Sequence, residues 1–414
     1  MIYHLFQILK DYDIPGQGLM HYLSFRGMLA IVISMLISFF AGGRIIRALQ
    51  RRQIGESIRD LGLEGQMQKK GTPTMGGVII LLSLLVSVLL VCDLGNIYVQ
   101  LLLLTTVWCG GIGICDDYIK VFKHNKEGLS EKKKLLGQLA LGLVIGLAVC
   151  FDGDIVVREK VAVKPVETLT VDTERPVEDT RWQEEDVVKS TKTTIPFIKS
   201  HEFDYKWLSP FKGKWGWYCK WAIYVLMIVL VITACSNGAN LTDGLDGLSA
   251  GTSAIVGVVT GLLAYLSGNL VSSNYLNIMY IPGTGEVAIF MAAFVGALIG
   301  FLWYNTFPAQ VFMGDTGSLT IGGIIGVGAI LIRKELLLPL LCGIFLMESL
   351  SVLIQKYWFK YTRHRYGEGR RFFLMAPLHH HYQKQGIPEP RIVGRFWIIG
   401  IILAVGTLAL LKIR

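Results

Sequence analysis

Charged residues are scarce in this chain, and its cysteines follow no metal-binding or redox pattern. Only 17% of the 414 residues are charged, whereas 52% are hydrophobic. A soluble protein of this composition would expose large apolar patches, so the composition excludes an ordinary soluble domain. The seven cysteines include no CxxC pair and mostly lie within apolar runs, where we expect them to act as small buried hydrophobic residues.

Long apolar runs are what the sequence has in abundance. About ten of them reach roughly 18–20 residues, enough for an α-helix to cross about 30 Å of hydrocarbon. Because lipid offers no partner to backbone polar groups, we expect these runs to be helices. The sequence predicts an all-α polytopic membrane protein, a single catalytic domain over residues 1–414. Its transmembrane helices are expected roughly at 22–41, 74–93, 97–114, 135–151, 220–236, 247–267, 286–303, 318–332, 335–354 and 394–412.

Positive charge is concentrated on one side of the predicted bundle. The net charge is +9, and basic residues cluster at 44–70, 120–134 and 356–391, after the first, third and ninth runs. The positive-inside rule makes that side cytoplasmic, and ten spans then leave both termini outside. The first run is followed rather than preceded by arginines, so we expect an uncleaved span and not a signal peptide. We expect no nucleic-acid partner, because topology alone accounts for the basic loops.

Residues 152–219 differ in composition from the predicted cytoplasmic loops. Val/Thr-rich pieces at 155–157 and 168–171 alternate with charges and prolines, and acids outnumber basic residues between 152 and 192. This composition predicts an extracytoplasmic insertion of short strands and turns between spans four and five, without a catalytic cluster. Cys150 and Cys219 flank the insertion, and a disulfide between them in an oxidising compartment is left open.

Two adjacent acids, Asp116 and Asp117, end the third apolar run. A carboxylate in a membrane span is costly, by about 2.5–3.5 kcal/mol at a helix centre and less near an interface. Mutual repulsion adds to this cost unless a cation holds both acids ionised. An ordinary solvated helix end is the alternative, and the choice depends on which other residues converge on the pair.

Further acids and amides follow later runs. Asn237, Asn240, Asp243 and Asp246 recur at every third position after the fifth run, which predicts a polar stripe on a helix or helical turn. Asp315 lies where the eighth run begins, and an N-cap is an equally good interpretation of it alone.

Basic residues and histidines complete the set. Glycine-rich residues 71–77 follow Lys69 and Lys70, and exposed backbone N–H groups beside two lysines suit an anion, with an ordinary helix start as the alternative. Lys134 and Gln138 are four residues apart and share a helix face. The three histidines at 379–381 cannot all face one point on a helix, so phosphate binding or proton transfer by a single histidine is favoured over a histidine metal site.

The parity of the spans puts all these groups at the cytoplasmic face. Carboxylates without cysteine, amid basic residues and glycine-rich turns, fit Mg²⁺ shared with substrate phosphates. Such an ion neutralises the acids and polarises a diphosphate. A site open to both cytosol and lipid suits phosphoryl transfer between a soluble nucleotide and a lipid.

Five stretches resemble those of the polyprenyl-phosphate N-acetylhexosamine-1-phosphate transferase superfamily and, within it, the phospho-N-acetylmuramoyl-pentapeptide transferase branch. They are 71–77 (GTPTMGG), 116–118 (DDY), 237–248, 305–318 and 377–382 (PLHHHY). The acidic pair and the Asn/Asp stripe are shared with the wider superfamily, whereas GTPTMGG and PLHHH favour the branch. The resemblance covers nearly the whole chain except 152–219, which is longer than the outer connection usual in the family.

The resemblance implies Mg²⁺-dependent transfer of phospho-N-acetylmuramoyl-pentapeptide from its UDP carrier to undecaprenyl phosphate. The products are lipid I and UMP, in the first membrane step of peptidoglycan synthesis. The resemblance also implies a homodimer in the bacterial inner membrane, with its active site on the cytoplasmic face.

The resemblance assigns roles to single residues. Asp315 is the expected Mg²⁺ ligand, Asp116 the base that deprotonates the lipid phosphate, and Asp117 the residue that places that phosphate or the metal. A covalent route with Asp116 as the nucleophile is left open. The residues expected to line the uridine and diphosphate region are Lys70, Asn240, Asp243, Asp246, Asn305 and Phe312, the last able to stack on uracil. Phosphate binding is expected of Lys134 and of His379 or His380, and His381 completes the substrate-binding candidates.

Two other functions compete with this interpretation. One is transfer of N-acetylglucosamine-1-phosphate to a polyprenyl phosphate, against which the triple histidine argues. The other is a secondary transporter with ten spans. Transporters place ionisable groups near the midplane and often show internal repeats, whereas here the acids lie at one face and no repeat is found. A purely structural scaffold has no reason to keep so many carboxylates beside lipid.

Overall fold

Long helices make up most of the computed structural model, which describes residues 3, 4, 6, 17–51, 69, 71–123, 125, 128–158, 187–196 and 202–412. The α-helices in chain order are α1 (Leu23–Arg51), α2 (Gly77–Val91), α3 (Ile97–Phe122), α4 (Glu131–Phe151), α5 (Gly213–Thr242), α6 (Leu248–Ser267), α7 (Leu270–Leu276), α8 (Gly285–Asn305), α9 (Gly314–Leu331), α10 (Leu338–Leu341), α11 (Gly343–Tyr366), α12 (Leu378–Lys384) and α13 (Glu389–Leu410). Short 3₁₀ helices cover Gln17–His21, Tyr205–Leu208 and Glu335–Leu337.

Apolar helices of membrane-spanning length dominate the described part of the chain. There, 8 helices are long and apolar enough to cross a membrane, or up to 9 when one bent pair is counted as a span. Helix α2 is equally apolar but has only 15 residues. Nine of the ten predicted apolar runs each overlap one helix, and the run at 335–354 covers a 3₁₀ turn and helices α10 and α11. The prediction of a mostly helical, polytopic membrane protein is therefore confirmed.

The ninth predicted run, 335–354, is not one straight helix. The segment Glu335–Leu341 and helix α11 are bent by 76° at the break between them. Pro339 lies in the first turn of α10, where its missing N–H removes no helical hydrogen bond. Cys342 separates the two helices, and Gly343 begins α11. Hydropathy alone predicts the apolar run but carries no signal for this bend.

Helix α9 lies at the centre of the bundle. Every residue from Thr316 to Leu331 is buried, and the helix packs against α2, α3, α5 and α6. Two glycines allow this packing. A Cβ at Gly113 of α3 would lie 2.4 Å from the Asp315 carbonyl oxygen, and one at Gly77 of α2 would lie 2.1 Å from the Gly317 nitrogen. The first turn of α9 therefore lies directly against α2 and α3.

The described part of the insertion forms two small antiparallel sheets. Strand β1 (Val157–Arg158) pairs with β2 (Val187–Val188), and β3 (Lys192–Thr194) pairs with β4 (Glu202–Asp204). The short strands expected in this segment are thus present, although the predicted piece at 168–171 lies outside the described residues. Cys150 and Cys219 are both free thiols.

The insertion packs against the carboxyl end of α9. The Thr194 N–H donates a hydrogen bond of 3.0 Å to the Arg333 carbonyl, and the Tyr205 hydroxyl donates one of 3.3 Å to Glu335. Since α9 begins at Gly314, the insertion and Asp315 lie at opposite ends of one helix. An 18-residue α-helix is about 27 Å long, close to the thickness of a membrane core.

Candidate active site

Three acids from two helices converge at the amino end of α9. Asp116 and Asp117 come from the last turns of α3, and Asp315 comes from the first turn of α9. One carboxylate oxygen from each acid lies within 4.8 Å of those of the other two. Oxygen ligands grouped in this way suit a hard divalent cation such as Mg²⁺. The side chains present therefore fit the metal that the sequence predicts.

Two lysines lie between the acids. Lys134 Nζ is 2.8 Å from Asp116 Oδ1 and 2.5 Å from Asp315 Oδ2. Lys120 Nζ is 2.6 Å from Asp116 Oδ2 and 3.3 Å from Asp315 Oδ1. Lys120 reaches Asp116 because residues four apart share a helix face. Three carboxylates against two ammonium groups leave the cluster with a net negative charge, which favours an added cation.

Asp117 joins α3 to the start of α9. Its Oδ2 accepts hydrogen bonds from the Thr316 N–H at 2.9 Å and the Thr316 hydroxyl at 2.6 Å, while its Oδ1 accepts one from the Asp315 N–H at 3.1 Å. A carboxylate that binds the free N–H groups of a helix start stabilises that start. The Asp117 side chain therefore caps the amino end of α9 from helix α3. Asp315 lies inside α9 and is not the N-cap of that helix.

The Asn/Asp stripe divides between two groups of residues. Asn240, in the last turn of α5, donates to Asp315 Oδ1 at 3.0 Å and to the Ser318 hydroxyl at 2.9 Å. Asn237 instead pairs with Gln138 at 2.9 Å. Helix α5 ends at Thr242 with Asp243 as its C-cap, so Asp246 lies beyond the helix in a turn. The stripe expected on a helix or helical turn therefore starts on α5 with Asn237 and Asn240 and continues into the following turn with Asp243 and Asp246.

Asp246 belongs to a second cluster, formed around Lys69. Lys69 Nζ lies 2.7 Å from Asp246 Oδ1 and 2.6 Å from Glu389 Oε1. The same ammonium group lies 5.9 Å from the ring centroid of Phe312. Lys70, the lysine predicted to bind substrate, lies outside the described residues. The described lysine beside Phe312 and Asp246 is thus Lys69.

Asn305 and the segment after Pro73 fix the backbone around Phe312. The Asn305 side chain accepts a 3.0 Å hydrogen bond from the Gly247 N–H and donates one of 2.9 Å to the Val311 carbonyl. The Phe312 N–H donates to the Pro73 carbonyl at 2.8 Å, and its carbonyl accepts from Gly76 at 2.8 Å. Asn305 thereby holds two loops together, with its amide engaged by backbone groups.

The three histidines point to different partners, as the helical spacing predicts. His379 is buried with Nδ1 3.1 Å from Glu348 Oε2. His380 Nδ1 lies 2.7 Å from Gln383 Oε1, whereas His381 Nδ1 accepts a 3.1 Å hydrogen bond from the Leu374 N–H. Burial, reinforced by the neighbouring His379, lowers the pKa of His380 to about 4. His380 is therefore neutral at physiological pH.

Comparison with known proteins bears directly on this site. The model of "Glycosyl transferase family 4" matches residues 187–333, and "Phospho-N-acetylmuramoyl-pentapeptide-transferase signature 1" matches residues 69–81. A protein of Parabacteroides distasonis is 54% identical over 428 residues, and one of Flavobacterium psychrophilum is 54% identical over 415 residues. Each comparison covers 100% of both chains, and both proteins are named phospho-N-acetylmuramoyl-pentapeptide-transferase.

The chain belongs to the phospho-N-acetylmuramoyl-pentapeptide-transferase family. The signature begins at Lys69, in the second cluster, and the family 4 match includes Asn240, Asp246 and Asp315. Of the two clusters, Lys69, Asn240, Asp246 and Asp315 thus lie within the matched segments, whereas Asp116, Asp117, Lys120, Lys134 and Glu389 lie outside both. Membership in the family and the apolar helices together make the chain a multi-pass membrane protein.

Three charged residues of these clusters were missed as site candidates from the sequence. Lys120 had a usable signal, because it follows Asp116 by four residues on a helix. Lys69 was noted with Lys70 before the glycine-rich turn, but only Lys70 was assigned to substrate binding. Glu389 had no signal of its own, since it is 320 residues from Lys69 in the chain.

Proposed function

We propose that this chain transfers phospho-N-acetylmuramoyl-pentapeptide from its UDP carrier to undecaprenyl phosphate, releasing UMP and forming lipid I. One observation carries the proposal beyond family membership. Asp116, Asp117 and Asp315 converge with Lys120 and Lys134 at one end of apolar helices. Acids and lysines so placed suit a diphosphate donor and a lipid phosphate, which must meet at the membrane surface.

The metal-holding residues in this proposal are Asp315 and Asp117. Asp117 already accepts three hydrogen bonds, but a carboxylate has about four acceptor positions, so one stays available. Bound Mg²⁺ supplies charge neutralisation at the donor diphosphate. Asp117 also fixes the first turn of α9, and through it the position of Asp315.

Asp116 is proposed to take the proton of the lipid phosphate, whose oxygen then attacks the sugar-linked phosphorus as the bond to UMP breaks. Asp116 Oδ1 also accepts a 2.7 Å hydrogen bond from the Leu129 N–H, which orients the carboxylate. Lys120 Nζ contacts Oδ2 of Asp116, and Lys134 Nζ contacts its Oδ1. When the substrate phosphates enter, the two lysines pair with them instead and release Asp116 for proton transfer. The covalent alternative uses the same carboxylate as the nucleophile.

The remaining candidates are proposed to bind the donor. Phe312 offers its ring to the uracil, and the lysine beside it is Lys69 rather than the predicted Lys70. Asn240 orients Asp315, while Asp243 and Asp246 border the turn after α5. Asn305 supports this region by fixing the backbone on both sides of it. Among the histidines, His379 faces the turn at Gly244; His379 or His380 is proposed to contact phosphate, and His381 stays a substrate-binding candidate.

We also propose ten membrane crossings, with both termini and the insertion outside and the site on the cytoplasmic face of the bacterial inner membrane. The basic loops support this orientation through the positive-inside rule. The position of the insertion at the opposite end of α9 from Asp315 supports it independently. The homodimer implied by the resemblance remains a prediction, which the mass of the purified particle in lipid nanodiscs checks.

UMP release by the purified protein tests the proposal. With undecaprenyl phosphate and Mg²⁺ present, we expect release from UDP-N-acetylmuramoyl-pentapeptide and little from UDP-N-acetylglucosamine. A preference for the second donor would support the runner-up, N-acetylglucosamine-1-phosphate transfer. Asp315→Asn should abolish release while leaving membrane insertion and the melting temperature close to wild type. Full activity in that variant would remove Asp315 from the metal role.

A further inference from the structure

Lys69 is held between two buried carboxylates. The side chains of Asp246 and Glu389 are only 2% and 8% exposed, whereas that of Lys69 is 18% exposed. An ammonium group has three donor positions, and two of them are taken by these acids. No described residue takes the third, which leaves it for a ligand. The two buried acids thus fix the position of the Lys69 ammonium group, while its partial exposure leaves it accessible to a ligand.

Glu389 also fixes the backbone beside Lys69. Its Oε1 accepts a 2.7 Å hydrogen bond from the Asp246 N–H, and Asp246 Oδ2 accepts one of 3.0 Å from the Ala309 N–H. Glu389 is the first residue of α13, where an acid is favoured by the helix dipole even when it points into solvent. Here the side chain instead turns inward and joins three segments that are remote in sequence.

The charge of this cluster limits what Lys69 can bind. Two carboxylates against one ammonium leave a net negative charge, which disfavours a phosphate. A neutral acceptor, such as a carbonyl oxygen of a pyrimidine base, fits the free donor position. The Phe312 ring, whose centroid is 5.9 Å from Nζ, adds a surface on which such a base can stack. The cluster around Lys120 and Lys134 is also net negative by itself, but its three acids fit Mg²⁺, and with that ion bound the cluster would be positive and so the better match for phosphates.

We propose that Glu389 is a positioning residue for the donor nucleotide, which orients Lys69 and the turn at Asp246 so that they receive the base. This inference rests on the proposed placement of the nucleotide beside Phe312. The competing explanation is an ion pair that only anchors α13 to the neighbouring loop. The two explanations differ in which kinetic constant a substitution changes.

Glu389→Gln is the decisive variant, because glutamine keeps an acceptor for the Asp246 N–H but loses the charge that holds Lys69. We expect the KM for the UDP-linked donor to rise about tenfold with kcat nearly unchanged, the pattern of lost uniform binding. The KM for undecaprenyl phosphate should not change. UMP binding, measured by calorimetry on the purified full-length protein, should weaken by a similar factor. Glu368→Gln, at an exposed acid, is the matched control.

A double-mutant cycle tests whether Glu389 acts through Lys69. Lys69→Met alone should raise the donor KM at least as much as Glu389→Gln does. The double variant should be no worse than Lys69→Met, since residues in contact are not additive. Glu389→Asp, which keeps the charge at a shorter reach, should lie between Glu389→Gln and wild type.

The outcomes separate this inference from the proposed function. If Glu389→Gln lowers the melting temperature or kcat but leaves the donor KM and UMP affinity unchanged, Glu389 is only an anchor and the inference is overturned. Should Lys69→Met and Phe312→Ala also leave UMP affinity unchanged, the nucleotide placement itself is wrong. If those two variants weaken UMP binding and Glu389→Gln does not, only the role of Glu389 fails. Should Glu389→Gln not fold, Glu389→Asp and Lys69→Met carry the same comparison.

Discussion

The carboxylate of Glu348 lies 3.1 Å from Nδ1 of His379, and both side chains are almost completely buried. Neither ring nitrogen makes a hydrogen bond among the described residues, but the His379 backbone N–H donates one of 3.4 Å to Glu348 Oε2, and Nε2 points away from the acid. It faces Gly244, in the turn between Asn240 and Asp246. An acid that binds the backbone N–H of a histidine and lies close to its ring holds the residue in place and favours a proton on the nearer nitrogen. Glu348 therefore aims Nε2 of His379 toward the donor site.

Glu348→Gln should lower kcat by about tenfold to a hundredfold, because the buried His379 imidazole loses the negative charge beside its Nδ1. The membrane helices should still assemble, because glutamine has nearly the same volume. UMP release at saturating substrate is the measurement. His379→Gln and the double variant Glu348→Gln/His379→Gln should lose the same factor in kcat. If Glu348→Gln kept the wild-type kcat, Glu348 would have no role in positioning His379.

Gly244→Ala should displace His379 without touching its chemistry. A Cβ at position 244 would lie 2.1 Å from Nε2 of His379, closer than real contacts allow. Because the imidazole is buried, the ring or the turn must shift, and we expect kcat to fall about tenfold or more, as a small misplacement at a reacting group does. Gly111→Ala is the control, since nothing lies within 4 Å of its added Cβ. Equal kcat values in the two variants would show that His379 needs no such fixed position.

The positions of the helices were predictable from the sequence because an apolar run of membrane length has one stable solution in lipid. The acidic groups were predictable for a related reason, since carboxylates beside a membrane require a partner. Hydropathy did not predict the bend at Cys342, because a bent apolar segment and a straight one have the same composition. The end of α5 at Thr242 was missed similarly, since its last turns are polar.

The contacts among the site residues could not be predicted from the sequence. Glu389 meets Lys69 only because α13 returns beside the loop before α2, and no local pattern marks that meeting. Asp117 was predicted to serve the metal or phosphate, and its hydrogen bonds add a cap that spacing cannot reveal. Long-range pairs of this kind depend on the packing of whole helices.

Lys134 and its neighbour Lys132 offer a matched test of the acidic cluster. Lys134 contacts both Asp116 and Asp315, whereas Lys132 lies exposed on the same helix. Lys134→Gln leaves close carboxylates less compensated and removes a phosphate partner, so kcat/KM should fall about a hundredfold or more. Lys132→Gln should stay within about twofold of wild type, as surface substitutions usually do. Similar activities for the two variants would mean that Lys134 is an ordinary basic residue of the membrane-flanking loop, without a role in transfer.

Thr194 provides a test of how the insertion is joined to the helices. Lys334 is only 1% exposed, and its Nζ lies 2.5 Å from the Thr194 hydroxyl. Thr194→Val removes this partner while keeping the side-chain shape, so we expect a loss of about 1–3 kcal/mol in the free energy of unfolding. Thr194→Ser, which retains the hydroxyl, should stay close to wild type. Transfer activity well below the melting temperature should be the same in all three proteins, because the site lies at the other end of α9.

The loss in Thr194→Val should depend on pH. Burial lowers the pKa of Lys334 to about 8, below the value of about 10.4 expected in the unfolded chain. Between these values the unfolded chain holds a proton that the folded protein has released, so raising the pH stabilises the fold. A neutral amine is also easier to leave unpaired than an ammonium group. The difference in melting temperature between Thr194→Val and Thr194→Ser should therefore be larger at pH 7 than at pH 9.5, and a difference that grows with pH would contradict a charged Lys334 at this contact.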